Sequence, residues 1–358
     1  TARVFVKVFY QALVEKKSHG VAKTLLEEWE HTFGVIYGEE TARIKKDTPE
    51  LIKGYDLPQN ASLKHSLFVV HTYFALIMKL IAAEVLSLQQ GSLAPSLIVQ
   101  LTAMPSQELK KQMNELENGG IFGTFGLVNF LEGDFFRWYL SVWNEEISEA
   151  IKLLVVKLAD FEPTTPVLRP GEARDLLKKL YQYLVPKKLR HDLGEYYTPD
   201  WIAERLLNQL RYDGNPDTRL LDPACGSGTF LTLAIDRARG YMEERLWDRD
   251  PQRRKKCARK ILNNIVGFDL NPLAVIAART NYLLAFGELI RDVRPVEIPV
   301  YICDSILTPV LQKQAQKQQI SLIDKKEDDY FYLPTSAGEF VMPKEILSKG
   351  ILEHVTAL

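Results

Sequence analysis

The sequence predicts an α/β fold with a parallel sheet, preceded by a mostly α-helical region. Residues up to about 160 carry apolar side chains at helical spacing, and residues 161–171 contain three prolines and a glycine that interrupt any helix. After this break, short apolar segments alternate with helical ones. Strands that alternate with helices are typical of a parallel sheet with right-handed crossovers.

Length and composition limit the classes of protein to be considered. A chain of 358 residues with 46% hydrophobic content can form two or three folded domains, which excludes a mainly disordered or fibrous protein. The net charge of -1 gives no overall field for a polyanion, so any contact with nucleic acid depends on local basic patches. Three cysteines without a Cys-x-x-Cys pair favour a reducing compartment, and we expect the cytoplasm. Because the sequence starts at Thr1, we expect a segment of a longer protein.

Residues 1–165 are predicted to form a helical N-terminal domain. The most apolar stretch, residues 66–87, contains His71, Lys79 and Glu84, which indicates a buried helix and no membrane partner. A cluster of aromatic residues follows; it could stack on nucleic-acid bases, but the burial energy of aromatic rings favours a core. Acidic, cysteine and histidine residues are scattered, so we expect a DNA clamp or docking platform and no second active site.

The second region begins with two helices. We predict a helix over residues 173–184, then a basic segment and the sequence GEYYTP at residues 194–199. Asp200 is expected to cap the next helix, residues 201–210. Lys187, Lys188 and Arg190 in the basic segment are candidate DNA contacts.

Three apolar strands and their helices complete this region. The strands are predicted at residues 218–222, 265–269 and 300–304. The helices between them are predicted at residues 230–246, in a polar basic stretch before 265, and at 272–289, where Asn271 and Pro272 fit the N-cap and first helical positions. Residues 312–329 are rich in Gln, Lys and Asp and are expected to form an exposed insertion.

Each of the three strands ends in a carboxylate, at Asp222, Asp269 and Asp304. Ligands of open parallel sheets bind at the carboxyl ends of the strands, so these acids should meet in one crevice. A single Asp at this position is often a helix cap, but three in the same position are difficult to explain by capping.

A glycine loop follows the first strand. Gly226 and Gly228 allow a ligand to approach the backbone, and Thr229 opens a helix whose N–H groups favour an anion. A dinucleotide loop would need a third glycine, whereas an Asp beside the loop suits a zwitterion such as the headgroup of S-adenosylmethionine. Asp269 would then accept the ribose hydroxyls, although it lies further from the loop than the usual distance of about 20 residues.

Four motifs carry a resemblance to a known family. DPACGSGTFL at residues 222–231 resembles the S-adenosylmethionine-binding motif of amino-methylating DNA methyltransferases. GEYYTP, GFDLNP at residues 267–272 and CDSIL at 303–307 are similar to further motifs of the adenine-N6 group. The resemblance implies an adenine-specific DNA methyltransferase of the large restriction-modification, type IIG or type I-like, phage-defence kind. It also implies an incomplete Rossmann-like methyltransferase domain at residues 172–307.

The resemblance implies a role for individual residues. Tyr197, Thr198 and Pro199 would flank the methionine moiety, and Asp222 would bind its ammonium group. Asp269 would hold the ribose, and Asp304 the adenine. The complete set of residues expected to bind the cofactor is Tyr196, Tyr197, Thr198, Pro199, Asp222, Pro223, Ala224, Gly226, Gly228, Thr229, Phe230, Asp269, Leu270, Asp304 and Ser305.

The catalytic motif of the family is missing. Its Asp/Asn-Pro-Pro-aromatic sequence accepts the hydrogens of the adenine amine and stacks on the flipped base. The sequence contains no Pro-Pro, and its two Asn-Pro pairs are followed by Asp217 and Leu273. Residues 308–358 resemble a polar insertion that precedes this motif. We therefore predict that the 358-residue chain contains no catalytic residue and transfers no methyl group by itself. The histidines and cysteines show no ligand spacing, and we predict no metal site.

Two other functions remain open from the sequence. RNA guanine-N2 methyltransferases can carry a similar Asp-Pro-x-Cys-Gly-Ser-Gly loop but lack the Tyr-Thr-Pro motif upstream. The chain could also be an assembly subunit that keeps S-adenosylmethionine as a structural ligand. The leading interpretation implies double-stranded DNA as the substrate of the whole protein, with a specificity or restriction subunit or a fused domain as a partner.

Overall fold

The computed structural model describes residues 1–16, 20–37, 48–88, 96–160, 184–192, 198–303, 330–335 and 338–343. Residues 1–303 form one compact unit, and residues 304–358 form another. The predicted break at residues 161–171 lies outside the described residues, as do the predicted helix over 173–184, apart from Leu184, and the insertion at 312–329. The division into three domains stays a prediction.

The N-terminal half of the first unit is helical. Its described residues form eight α-helices: α1 (Ala2–Lys16), α2 (Gly20–Tyr37), α3 (Thr48–Gly54), α4 (Leu63–Leu88), α5 (Leu97–Thr102), α6 (Ser106–Glu117), α7 (Gly120–Thr124) and α8 (Glu145–Ala159). Helix α4 is long and apolar enough to cross a membrane, but 94% of its most apolar 18-residue stretch is buried inside the protein. The expectation of a buried helix is therefore confirmed. Burial also lowers the pKa of His71 on this helix to about 3.

The aromatic cluster of the helical half is a core. The rings of Phe68 and Trp138 stack with centroids 5.8 Å apart, and the Trp138 indole donates a hydrogen bond to Thr72 Oγ1 at 2.9 Å. These contacts confirm the core over the base-stacking alternative. The members of the cluster that are buried are Phe122, Phe125, Phe130, Phe136, Trp138 and Tyr139.

The second half contains a small parallel sheet among helices. Its elements are α9 (Lys187–Asp192), α10 (Asp200–Gln209), β1 (Leu220–Asp222), α11 (Thr229–Glu244), α12 (Pro251–Asn264), β2 (Ile265–Asp269), α13 (Pro272–Phe286) and β3 (Val300–Ile302). The strand order is β1-β2-β3 and both pairings are parallel. The predicted alternation of strands and helices is confirmed. Helix α13 packs against α4 of the helical half. Within residues Pro272–Asp292, 83% of the most apolar 18-residue stretch is buried.

Several local boundaries differ from the sequence prediction, and strand β3, for example, ends at Ile302 and not at residue 304. Strand β1 starts at Leu220 because the Thr218 N–H donates to the Asn215 carbonyl in a turn. Asp200 does not cap its helix: Pro199 occupies the N-cap position, and Asp200 is the first helical residue, where a carboxylate favours the positive end of the helix dipole. The prediction of Asn271 as the N-cap of α13 is confirmed, since its side chain accepts from the Leu273 N–H.

A loop of the helical half, residues 126–136, contacts both halves of the unit, and we call it the bridging loop. Asn129 is buried, and its amide exchanges two hydrogen bonds with the backbone of Ile298, at 2.8 and 2.9 Å. The guanidinium of Arg279 on α13 is fully buried and donates to the carbonyls of Phe130 and Glu132, at 3.3 Å each. The loop is thus fixed to the sheet half by side chains that are out of water.

The second unit is described in one hairpin. Strands β4 (Tyr330–Thr335) and β5 (Gly338–Pro343) pair in antiparallel register, from Tyr330 with Pro343 to Thr335 with Gly338. This hairpin lies within residues 308–358, which are predicted to be a polar insertion.

Candidate functional site

Two of the predicted carboxylates lie at the same edge of the sheet. Asp222 is the last residue of β1 and aligns with Gly267, and Asp269 is the last residue of β2 and aligns with Ile302 of β3. Parallel strands bring their carboxyl ends to one edge. Asp269 lies two positions beyond the register partner of Asp222, and its charge acts on the Asp222 carboxylate. Asp304, two residues beyond β3, lies outside the described residues.

The glycine loop is anchored to β2. The Cys225 N–H donates to the Phe268 carbonyl at 2.8 Å, and the Gly226 N–H donates to Asp269 Oδ2 at 2.8 Å. Gly226 and Gly228 have φ values of 53° and 83°, the left-handed region that favours glycine. Asp269 therefore holds the loop with one carboxylate oxygen, while its other oxygen accepts from the Asn271 N–H at 2.8 Å.

Gly267 permits the close approach of this loop to the sheet. A Cβ at this position would lie 2.6 Å from Leu231 Cδ1 and 3.1 Å from Cys225 Sγ. The sequence analysis did not assign this role to Gly267. A glycine within a strand indicates a close contact but does not show which residues make that contact.

Cys225 itself is buried, and burial raises the pKa of its thiol. The thiol therefore stays protonated, and the side chain fills space within the loop.

The two carboxylates make the crevice electronegative. Burial raises the pKa of Asp222, and the charge of Asp269 raises it further. Burial also raises the pKa of Asp269, against the lowering effect of the backbone N–H groups that it accepts. A cationic group placed between them would favour the ionised form of both carboxylates.

The opposite charge preference is found at the start of α11. Its N-cap, Gly228, supplies no side-chain hydrogen bond, so within the described residues the first N–H groups of the helix have no side-chain cap. Sixteen residues of helix place a positive dipole end at this position. The site therefore combines carboxylates that can bind a cationic group with N–H groups that can bind an anionic group, as a zwitterion requires.

The remaining predicted residues are distributed around this loop. Pro223 and Ala224 are exposed, and Thr229, Phe230 and Leu270 are partly buried. Upstream, Thr198 is partly buried and Pro199 is exposed before α10, whereas Tyr196, Tyr197 and Ser305 lie outside the described residues. Across the described part of the chain, no group of three or more His, Cys, Asp or Glu side chains forms a cluster suited to a metal ion.

Asn281 is a site residue that the sequence analysis missed. It lies on α13, and its side-chain Nδ2 donates to the Ser227 carbonyl in the glycine loop at 2.9 Å. The two residues are 54 positions apart, and nothing in the sequence near Asn281 distinguishes it from other polar residues on a helix.

The sheet, the glycine loop and the paired carboxylates fall in a segment, residues 172–321, that matches the N-6 DNA methylase family. The resemblance to adenine-N6 DNA methyltransferases is confirmed for this segment. The match also disfavours the RNA guanine-N2 alternative.

Two curated proteins are similar to the chain. The adenine-specific methyltransferase PglX of Streptomyces coelicolor is 28% identical over 171 residues, which cover 44% of this chain and 13% of PglX. The type I restriction enzyme MjaVII methylase subunit of Methanocaldococcus jannaschii is 27% identical over 135 residues, which cover 38% of this chain and 19% of the subunit. The chain thus spans less than a fifth of the length of either relative. No solved structure matches the chain.

Proposed function

We propose that the chain is the cofactor-binding part of a DNA methyltransferase that transfers a methyl group from S-adenosylmethionine to N6 of adenine. The observation that carries this proposal is the pair Asp222 and Asp269 beside a glycine loop and an uncapped helix start, within the segment that matches the N-6 DNA methylase family. In this proposal the three-stranded sheet is part of a Rossmann-like methyltransferase fold.

The groups of the crevice fit the cofactor in charge and in kind. Asp222 would bind the ammonium group, and the N–H groups at the start of α11 would bind the carboxylate. Asp269 would accept from the ribose hydroxyls with the lone pairs that its backbone contacts leave. The bound cofactor supplies an electrophilic methyl group, and the protein residues orient it. Thr198 and Pro199, at the start of α10, would flank the methionine.

The acceptor for the adenine amine must come from another segment of the protein. Both Asn-Pro pairs are used in local structure: Asn215 accepts from the Asp217 N–H, and Asn271 caps α13. We propose that the missing motif is carried by a strand that pairs with β1. Among the described strands β1 pairs with β2 alone, and Leu221 at its centre is 55% exposed.

Residues 1–358 do not contain the Asp/Asn-Pro-Pro-aromatic motif. We therefore expect that this chain alone does not transfer a labelled methyl group to DNA.

We further propose double-stranded DNA as the substrate of the whole protein, in the cytoplasm, with a specificity or restriction subunit or a fused domain as partner. Lys187 and Lys188 are exposed on α9 and suit phosphate contacts. Arg190 is less suited, because its Nε donates to the Val185 carbonyl at 3.2 Å. On α12, Arg254 is paired with Asp292, which leaves Lys255 and Lys256 exposed on a solvated face.

The substitution Asp222→Asn tests the ammonium assignment. The amide oxygen can still accept from the Ala224 N–H, at 3.2 Å in the native protein, so the change removes the charge and keeps the turn. We expect binding of S-adenosylmethionine to weaken by about ten- to a hundredfold, the range for hydrogen bonds to charged groups. Titration calorimetry measures it.

Asp213→Asn is the matched control. Asp213 also accepts a backbone N–H two residues ahead, from Asn215 at 2.9 Å, so the control removes one charge from an equivalent turn outside the crevice. Its affinity should equal that of the native chain. Equal binding by D222N and D213N would remove Asp222 from the site, and no binding by the native chain would contradict the proposed function.

Cofactor binding should also release protons. Because the pKa values of Asp222 and Asp269 are raised in the free protein, a bound cation should lower them and expel protons at mildly acidic pH. Affinity should accordingly fall as the pH is lowered and the carboxylates become protonated. Calorimetry in two buffers of different ionisation enthalpy measures the release, and D222N should release fewer protons. The same enthalpy in both buffers would contradict the predicted coupling.

A further inference from the structure

The glycine loop is held from two sides, and the second side is α13. From the sheet, Cys225 and Gly226 are anchored to β2, as described above. From α13, the Nδ2 of Asn281 donates to the Ser227 carbonyl at 2.9 Å. The loop also lies directly on this helix, because a Cβ at Gly228 would be 3.3 Å from Ala278 Cβ.

The hydrogen bond from Asn281 is made to the part of the loop where the backbone adopts left-handed conformation. Ser227 lies between two glycines in left-handed conformation, and the chain turns there from β1 into α11. The Gly228 N–H, which shares a peptide with the Ser227 carbonyl, donates to the Cys225 carbonyl at 2.8 Å. The orientation of this peptide determines where the next N–H groups, at the start of α11, point. A donor fixed on α13 therefore fixes the direction of the groups that face an anionic ligand.

A role in packing alone does not explain Asn281. The residue is only 6% exposed, and its Oδ1 has no hydrogen-bond partner among the described residues. Burying an unsatisfied amide oxygen costs free energy that an apolar side chain in the same place would not. The other amide atom compensates by meeting one specific carbonyl, that of Ser227.

We propose that Asn281 is a positioning residue for the cofactor: it orients the glycine loop so that the loop is preorganised to receive the methionine end of S-adenosylmethionine. The inference rests on the proposed function for the identity of the ligand, but the orientation of the loop by Asn281 is independent of it. Asn281 itself does not touch the cofactor in this proposal.

The experiment compares Asn281→Ala with Thr280→Ala in the 358-residue chain. Thr280 is the matched control, because it is equally buried on α13 and its hydroxyl donates to Ile276 within the helix, at 2.9 Å. We expect N281A to bind S-adenosylmethionine about tenfold more weakly, and T280A to bind as the native chain does. Without cofactor, hydrogen–deuterium exchange of the loop at residues 225–231 should be faster in N281A and unchanged in T280A.

The two measurements separate the inference from the proposed function. Native exchange of the loop in N281A, or native affinity, would overturn the positioning role. Failure of the native chain to bind S-adenosylmethionine would overturn the proposed function, and the exchange of the loop alone would then decide the role of Asn281. If N281A does not fold, Asn281→Ser, whose hydroxyl is too short to reach Ser227, is measured in the same way.

Discussion

Replacing Lys79 by methionine should lower the free energy of unfolding by about 3 to 5 kcal/mol, the usual cost of removing one partner from a buried ion pair. Lys79 lies in the centre of α4 with no exposed side-chain surface, and its ammonium contacts the carboxylates of Glu117 and Asp134. The Tyr139 hydroxyl donates to Glu117 at 2.8 Å. Methionine has a similar length and fills the space, so the loss is mainly the charge that neutralises two buried carboxylates.

The effect of this substitution should depend on pH. Burial raises the pKa of Glu117 to about 6. Since this is above the value in the unfolded chain, the contribution of Glu117 to stability is complete at low pH and is lost as the pH rises through about 6. Without Lys79 the penalty for ionised Glu117 increases, so the loss of stability in K79M should be larger at neutral pH than at about pH 5.

Urea denaturation followed by circular dichroism provides the measurement. Lys157→Met is the control, because Lys157 pairs with Asp160 on the surface, where both side chains are more than half exposed. Such pairs contribute about 0 to 1 kcal/mol. Equal midpoints for K79M and K157M at neutral pH would show that the buried network does not stabilise the fold.

Replacing Arg279 by methionine should cost about 3 kcal/mol or more, because buried carbonyls without donors each cost about 1 to 3 kcal/mol. The guanidinium donates to the Val300 carbonyl at 2.9 Å, to two carbonyls of the bridging loop, and to Glu132 Oε2 at 3.3 Å. The Glu132 side chain is 61% exposed, so its carboxylate stays solvated when the guanidinium is removed. The loss of stability therefore comes from the carbonyls that lose their donor.

Arg137→Met is the control for this prediction. Arg137 is exposed and its side chain donates to Asn118 Oδ1 at 3.2 Å, on the surface, so the change should stay within about 0.5 kcal/mol. Thermal and urea denaturation of both variants give the comparison. An R279M protein as stable as R137M would mean that the bridging loop is held by its other contacts alone.

The sequence predicts the arrangement of the sheet half well, because its signals are local. Short apolar strands that end in Asp222 and Asp269, and the Asn271-Pro272 helix start, follow from rules that act over a few residues. The cap assigned to Asp200 was wrong because a neighbouring residue, Pro199, takes the N-cap position with an extended backbone. Such shifts of one residue are decided by backbone angles that composition does not record.

The long-range contacts could not be predicted. Lys79 interrupts an apolar helix, which the sequence shows, but its partners lie 38 and 55 residues further along the chain. In the candidate site, the roles of Gly267 and Asn281 depend on the packing of the glycine loop against β2 and α13. Neither residue belongs to the motifs' charged positions, and only the folded geometry brings them to the loop.

The bridging loop also limits how such proteins can be recombined. A chimera that takes its first 160 residues from a distant relative would replace Asn129 and the carbonyls that face Arg279, but would keep Arg279 and Ile298. The guanidinium would then be buried opposite groups that evolved with a different partner. The helical region can therefore be exchanged between proteins only when residues 126–136 and their partners on α13 and before β3 are exchanged as one set.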